Sequence, residues 1–191
     1  MKLYGTTTSP FVRRVRVVAA EVGEAVDRVD TATDAGMTQL REVSPIRKVP
    51  VAVVDGRLLY DSRVIIDWLV TTRGWGGIEP PRDRWHEQNL LNAIDGAVDS
   101  VIQLFYLRRD GVTVDGTPYA QRQLDRADAI FGWLATQLRP QAFALPEISA
   151  CCALDWMDFR KAYPTERATG LDALRAALRD RPSMAATRPH A

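Results

Sequence analysis

Cysteine and histidine, the residues that most often hold metals or attack substrates, are nearly missing. Only Cys151, Cys152, His86 and His190 occur in 191 residues. The cysteines are adjacent, which leaves no disulfide framework and no Cys-x-x-Cys redox site. The histidines stand far apart in the chain, so metal-ligand spacing is lacking too. Chemistry is therefore expected without a bound metal, a cysteine nucleophile or a histidine pair. An excess of charge is missing as well: 25 Lys and Arg against 24 Asp and Glu leave a net +1. Phosphate backbones and anionic membranes demand more than that, so neither nucleic acid nor a membrane is an expected partner. No apolar run approaches the roughly 18 residues of a membrane span. The opening MKLYGTTTSP lacks the apolar core of a signal peptide, and a cytoplasmic location is expected. What remains is an ordinary globular composition, 46% hydrophobic and 26% charged, at a length for one large or two compact domains.

The first eighty residues alternate between strand-like and helix-like periods, whereas everything after Pro80-Pro81 keeps a helical period. MKLYG reads as a strand. Ser9-Pro10 then opens a helix, because serine is a favoured N-cap and proline a favoured first helical residue. Its apolar stripe is Phe11, Val15, Val18 and Val22, with Arg13, Arg14, Arg16 and Glu21 on other faces. A strand over 25–31, a short helix over 37–43 and a strand beginning at Val49-Pro50 follow. Asp55-Gly56 turns that strand into a partner over 57–60, and Asp61 or Ser62 caps the next helix. The order is βαβαββα. A linker over 74–80 leads to a long helix through Leu91, Ile94, Val98, Val101 and Phe105, and a second through Leu124, Ala127, Phe131, Leu134 and Leu138. A helix over 148–159 is apolar nearly all round, as a central buried one is. Leu171, Leu174 and Leu178 mark a last amphipathic helix before RPSMAATRP.

This order, with MKLYG, TSPFVRRVR, SPIRKVP, LLYDSRVIIDWL, CALDWMDFR and RPSMAATRP in sequence, resembles the cytosolic glutathione transferases over the whole chain. The Ser-Pro-Phe-Val start is most similar to a bacterial branch related to the tau-like and omega-like classes. The resemblance implies a thioredoxin-like glutathione-binding domain over 1–73, a linker over 74–80, and an all-helical domain over 81–191. That second domain would form the electrophile pocket and the contacts of a homodimer.

The resemblance also assigns roles. Ser9 falls at the position that activates the thiol of glutathione; read on its own it is a helix cap, and Thr7 or Thr8 could supply the hydroxyl instead. A thiol has a reference pKa of about 8.5, and lowering it by two units takes roughly 2.7 kcal/mol of preference for the anion. Helix N–H groups plus one hydroxyl donor can supply that. Pro50 falls at a position that is cis in the family, which lets the backbone of Val49 pair with the cysteinyl part of glutathione like an added strand. Proline also opens strands without any ligand. Asp61 and Ser62 suit the zwitterionic γ-glutamyl end, the helix N–H groups taking its carboxylate and the side chain of Asp61 its ammonium. The family usually has Glu-Ser here, and the shorter aspartate changes the reach. Lys48, with Arg47, would meet the glycyl carboxylate. Phe11, Phe105 and Tyr106 are the expected apolar lining for a small hydrophobic electrophile, with Arg108 or Arg109 at its rim. Cys151, Cys152 and Trp156 read as buried packing residues. Where the family caps its central helix with Ser or Thr, this chain has Ala144, three residues before Glu147.

The expected activity is conjugation of the glutathione thiolate to an electrophilic carbon. A non-catalytic glutathione-binding protein of the same fold is the alternative reading. A glutathione-dependent disulfide reductase would need a cysteine where Ser9 stands.

Overall fold

In a computed structural model describing residues 1–190, the strands and helices expected for the first eighty residues form in the expected order. They are β1 (Lys2–Tyr4), α1 (Pro10–Glu21), β2 (Asp27–Val29), α2 (Asp34–Val43), β3 (Val51–Val54), β4 (Arg57–Tyr60) and α3 (Ser62–Arg73). The sheet order is β2-β1-β3-β4, with β1 and β2 parallel and the other neighbours antiparallel. Local chemistry explains most boundaries. Ser9 and Thr33 accept backbone N–H groups as N-caps of α1 and α2. Asp55 and Gly56 both adopt positive φ, 47° and 73°, which matches the tight hairpin that a right-twisted strand pair prefers. Strands β2 and β3 are shorter than the expected segments 25–31 and 49–54.

The pleat sends alternate residues to opposite faces. Tyr4 and its cross-strand partner Val51 pack with Leu40 of α2. Leu3 and Ala52, the adjacent pair, face the other way and are fully buried, and α1 and α3 pack on each other.

Residues Pro81–Arg179 form a second unit of α4 (Arg84–Arg109), α5 (Pro118–Gln137), α6 (Leu145–Arg160), a 3-10 turn over Thr165–Leu171, and α7 (Asp172–Leu178). Among the described residues α4 alone is long and apolar enough to cross a membrane, but it buries Leu90, Leu91, Ile94, Val98 and Val101 while packing on α5 and α6. It is a core helix of this unit. In α6, Cys151, Cys152 and Trp156 are buried, as read from its apolar composition, and the two cysteines are not in a disulfide.

Two expectations need correction. Residues 180–190, α8 (Pro182–Ala186) included, cluster with the first unit and not with the helical domain expected over 81–191. Further, Arg13 and Arg14, expected on the polar faces of α1, are buried. Val12, Val15, Val17, Val18 and Ala19 leave this helix almost no solvent face, so its arginines go inside with partners.

Helix α6 begins without a side-chain cap at Ala144, as the sequence indicates, although that residue has the extended backbone of an N-cap. Glu147 turns elsewhere, accepting the backbone N–H of Arg139 at 3.1 Å. Ala144→Ser is expected to stabilise the chain by about 1 kcal/mol, read from the urea midpoint. An unchanged or lowered midpoint would mean that the buried site has no room for a hydroxyl.

Ion pairs of the first unit give it a pH dependence. Hydrogen bonds from Arg181 to Glu21, from the chain N-terminus to Glu24, and from Arg28 to Asp30 hold these carboxyls below their ordinary values of 4.5, 4.5 and 3.8. Their stabilisation is complete above those values and disappears as pH falls through the lowered ones. Burial pushes Glu87 of the second unit the other way, so its share is present in acid and lost as pH rises. The three lowered groups outnumber it. The urea midpoint is expected to drop between about pH 6 and about pH 3, and to drop less in Glu21→Gln. Identical slopes in the two proteins would contradict the Glu21 contribution.

Candidate functional site

Strand register gathers the sequence-predicted residues of the first unit at one end of its sheet. Tyr4 pairs with Val51, and Val51 with Tyr60. One residue further along each strand, Gly5, Pro50 and Asp61 therefore lie in a row, at about 4.8 Å per strand. The loop Thr6–Ser9, the Val49-Pro50 peptide and the start of α3 all open from that row. The Val49-Pro50 bond is cis. Pro50 is buried and Val49 half-buried, while Arg47 and Lys48 are exposed ahead of them.

Ser9 is half-buried, and its Oγ accepts the N–H of Val12 at 3.3 Å. The cap occupies a lone pair of the hydroxyl, whose proton can still be donated to an anion. The neighbouring hydroxyls are engaged differently. Thr7 donates its proton to the carbonyl of His190 at 2.9 Å, and Thr6 and Thr8 share a 3.3 Å contact. Of the three hydroxyls left open by the sequence, Ser9 combines a helix N-terminus with a proton not used by the cap.

Asp61 caps α3 through Oδ1, which accepts the N–H of Arg63 at 2.8 Å. Its backbone, at φ 68° and ψ 138°, lies where side chains are rarely found, at a cost of roughly 1–3 kcal/mol. Such strain concentrates at functional sites. Ser62 is only 1% exposed, and its Oγ accepts both Nε and Nη2 of Arg14, at 3.0 and 2.6 Å. The hydroxyl of Ser62 is thus directed inward, and its backbone N–H stands at the first position of α3, a helix end whose N–H groups are able to hold an anion.

Arg14 is the residue of this candidate site that sequence reasoning missed. Itself 3% exposed, it holds Ser62 and lies over the ring of Phe11, 5.0 Å from its centroid. It connects the helix that Ser9 caps to the helix that Asp61 caps. Val17 and Val18 on successive positions were the available signal, because they widen the apolar stripe until an arginine must enter it.

The expected electrophile-pocket residues fall in both units. Phe11 is half-buried in the first. In the second, the rings of Phe105 and Tyr106 lie 5.4 Å apart, and Phe105 meets the edge of Trp156 at 5.6 Å. Arg109 stacks on Tyr106 at 4.6 Å. A cleft of about 500 Å³ also opens within the second unit, lined by Arg108, Leu124, Asp158, Lys161, Tyr163 and Glu166 among others, without Phe105 or Tyr106. Its charges are partly matched already: Arg108 pairs with Asp115 at 2.6 Å, and Asp158 bonds Thr165 and Arg175.

Residues 3–80 match the glutathione S-transferase N-terminal domain. An uncharacterised GST-like protein of Escherichia coli strain K12 is 26% identical over 182 residues, 86% of this chain and 85% of that protein. Among solved structures, a glutathione S-transferase of Methylobacillus flagellatus KT with glutathione bound has a TM-score of 0.84 at 26% identity, covering 99% of each chain. A glutathione transferase family member of Pseudomonas fluorescens Pf-5 with bound S-(propanoic acid)-glutathione gives 0.81 at 29% identity, covering 100% of each. The chain has the glutathione transferase fold, and its residues 3–80 are similar to the N-terminal domain of the glutathione S-transferases.

Proposed function

We propose that the protein is a glutathione transferase that joins the glutathione sulfur to a small hydrophobic electrophile. The observation that carries this reading is the row of Gly5, Pro50 and Asp61, which aligns a capped helix start, a backbone edge and a second helix start along one sheet end. In this reading the γ-glutamyl carboxylate meets the N–H groups at the start of α3, and its ammonium meets the carboxylate of Asp61. The cysteinyl amide pairs with the backbone of Val49, Lys48 meets the glycyl carboxylate, and Ser9 donates to the sulfur. Phe11, Phe105 and Tyr106 supply apolar surface for the electrophile. Two similar proteins crystallised with glutathione or a glutathione conjugate support the ligand class. The start Ser9-Pro10-Phe11-Val12 supports a place beside the tau-like and omega-like classes.

Binding would convert a bimolecular encounter into an oriented one. The thiol releases its proton to solvent, the thiolate attacks the electrophilic carbon, a carbon–sulfur bond forms, and the leaving group departs with the electron pair of its bond. Ser9 retains its proton throughout, stabilising charge without being consumed.

A binding-only protein is the second reading, because the carboxylate of Asp61 already caps its own helix and the hydroxyl of Ser62 is turned inward. Calorimetric titration with glutathione, followed by conjugation of a generic aryl halide, separates the two. Binding with turnover is the expected result. Binding without turnover would favour the second reading, and the lack of any binding would defeat both.

A further inference from the structure

The segment from Arg181 to His190 is stitched along the full length of α1. At the end of the helix, Glu21 accepts Nε and Nη2 of Arg181 at 2.8 and 2.6 Å, and Oγ of Ser183 at 2.5 Å. Near its start, Arg13, 2% exposed, donates Nη2 to the carbonyl of Met184 at 3.2 Å and Nε to Oγ1 of Thr187 at 3.5 Å. Just before the helix, Thr7 donates to the carbonyl of His190 at 2.9 Å. The contacts run in strict opposition, 181 and 183 to 21, 184 and 187 to 13, 190 to 7. The segment therefore lies antiparallel to α1.

The final stitch is on the loop that carries Ser9. The imidazole of His190 is turned back, its Nδ1 lying 3.0 Å from the carbonyl of Arg188, which can only accept. The tail end is thereby folded on itself while its carbonyl faces Thr7.

We propose that residues 181–190 form a strap that positions the thiol-side loop, with Thr7 as the attachment point. Thr7 commits its one proton to His190, and this holds Thr6–Ser9 in the geometry that lets Ser9 cap α1 and donate to sulfur. Arg13 and Glu21 anchor the strap; Thr7 is a positioning residue and does not touch the sulfur. The proposal rests on the glutathione reading for its functional consequence and on the contacts alone for the strap itself.

The test compares Thr7→Val, which removes the O–H at nearly constant volume, with Thr7→Ser, which keeps it, both in the full chain. Amide hydrogen exchange over residues 6–12 reads the loop. The ultraviolet absorbance of bound glutathione thiolate, titrated against pH, reads the sulfur. In Thr7→Val, exchange is expected to quicken by roughly fivefold, the loss of one neutral hydrogen bond, and half-ionisation of the thiol is expected to move to higher pH. Thr7→Ser is expected to restore both. Unchanged exchange in Thr7→Val, or no restoration by serine, overturns the strap. Quickened exchange with an unmoved thiol titration overturns its positioning role. A wild-type chain that gives no thiolate signal with glutathione refutes the functional reading instead, and exchange then decides the strap by itself.

Discussion

Replacing Ser9 with alanine is expected to slow conjugation at neutral pH by about a hundredfold, the usual effect of deleting one preorganised donor to a developing anion. The same change should move half-ionisation of bound glutathione upward by as much as two units, since a free thiol ionises near pH 8.5 and roughly 2.7 kcal/mol separates the two states. Oγ accepts from Val12 at 3.3 Å, so the residue has two separable uses, a lone pair for the helix and a proton for the ligand. Ser9→Asp distinguishes them. Aspartate caps a helix as well as serine does, so the melting temperature should hold. Its negative charge beside the sulfur opposes the thiolate, so activity should fall below that of the alanine variant. Rates for Ser9→Ala within threefold of wild type at every pH would remove Ser9 from the mechanism.

What the sequence makes legible follows from how local the physics is. The start of α1 at Ser9-Pro10, the Asp55-Gly56 hairpin and the uncapped Ala144 each depend on a few adjacent residues, and each is found where the chain indicates. The buried character of α6 is legible for the same reason, since its apolar residues encircle one helix. Arg13 and Arg14 are not legible in this way. An arginine is tolerated inside only beside its partners, and these lie 48 to 174 positions away, in Ser62, Met184 and Thr187. The helical period placed them on a polar face because it counts neighbours within α1 alone. The inward turn of Ser62 escaped for the same reason. The site therefore splits into a part written locally, the caps and the proline, and a part written between distant segments, the arginines of α1 that bond Ser62, Met184 and Thr187.

That division makes Arg14 the residue whose loss should be most damaging to the first unit. Arg14→Leu removes two charge-assisted bonds and leaves Oγ of Ser62, 1% exposed, without those donors. Bonds to charged groups are worth about 1.5–3 kcal/mol each, and two that share one oxygen should together cost roughly 3 kcal/mol, a large part of a typical domain's stability. Glutathione affinity should fall more than tenfold, because the start of α3 loses the tether that fixes Asp61 and the N–H of Ser62. Arg14→Lys should recover part of both, a single ammonium being able to reach one acceptor without reproducing the fork. The decisive comparison is the double variant Arg14→Leu with Ser62→Ala. Removing the buried hydroxyl takes away the acceptor that Arg14→Leu strips of these two donors, so urea denaturation should find the pair more stable than Arg14→Leu alone. Calorimetry should nevertheless find glutathione binding still impaired, because apolar contact restores the packing but not the orientation of α3. Simple additivity of the two stability losses would show that Arg14 and Ser62 act separately, and affinity returning with stability would show that Arg14 serves the fold and not the site.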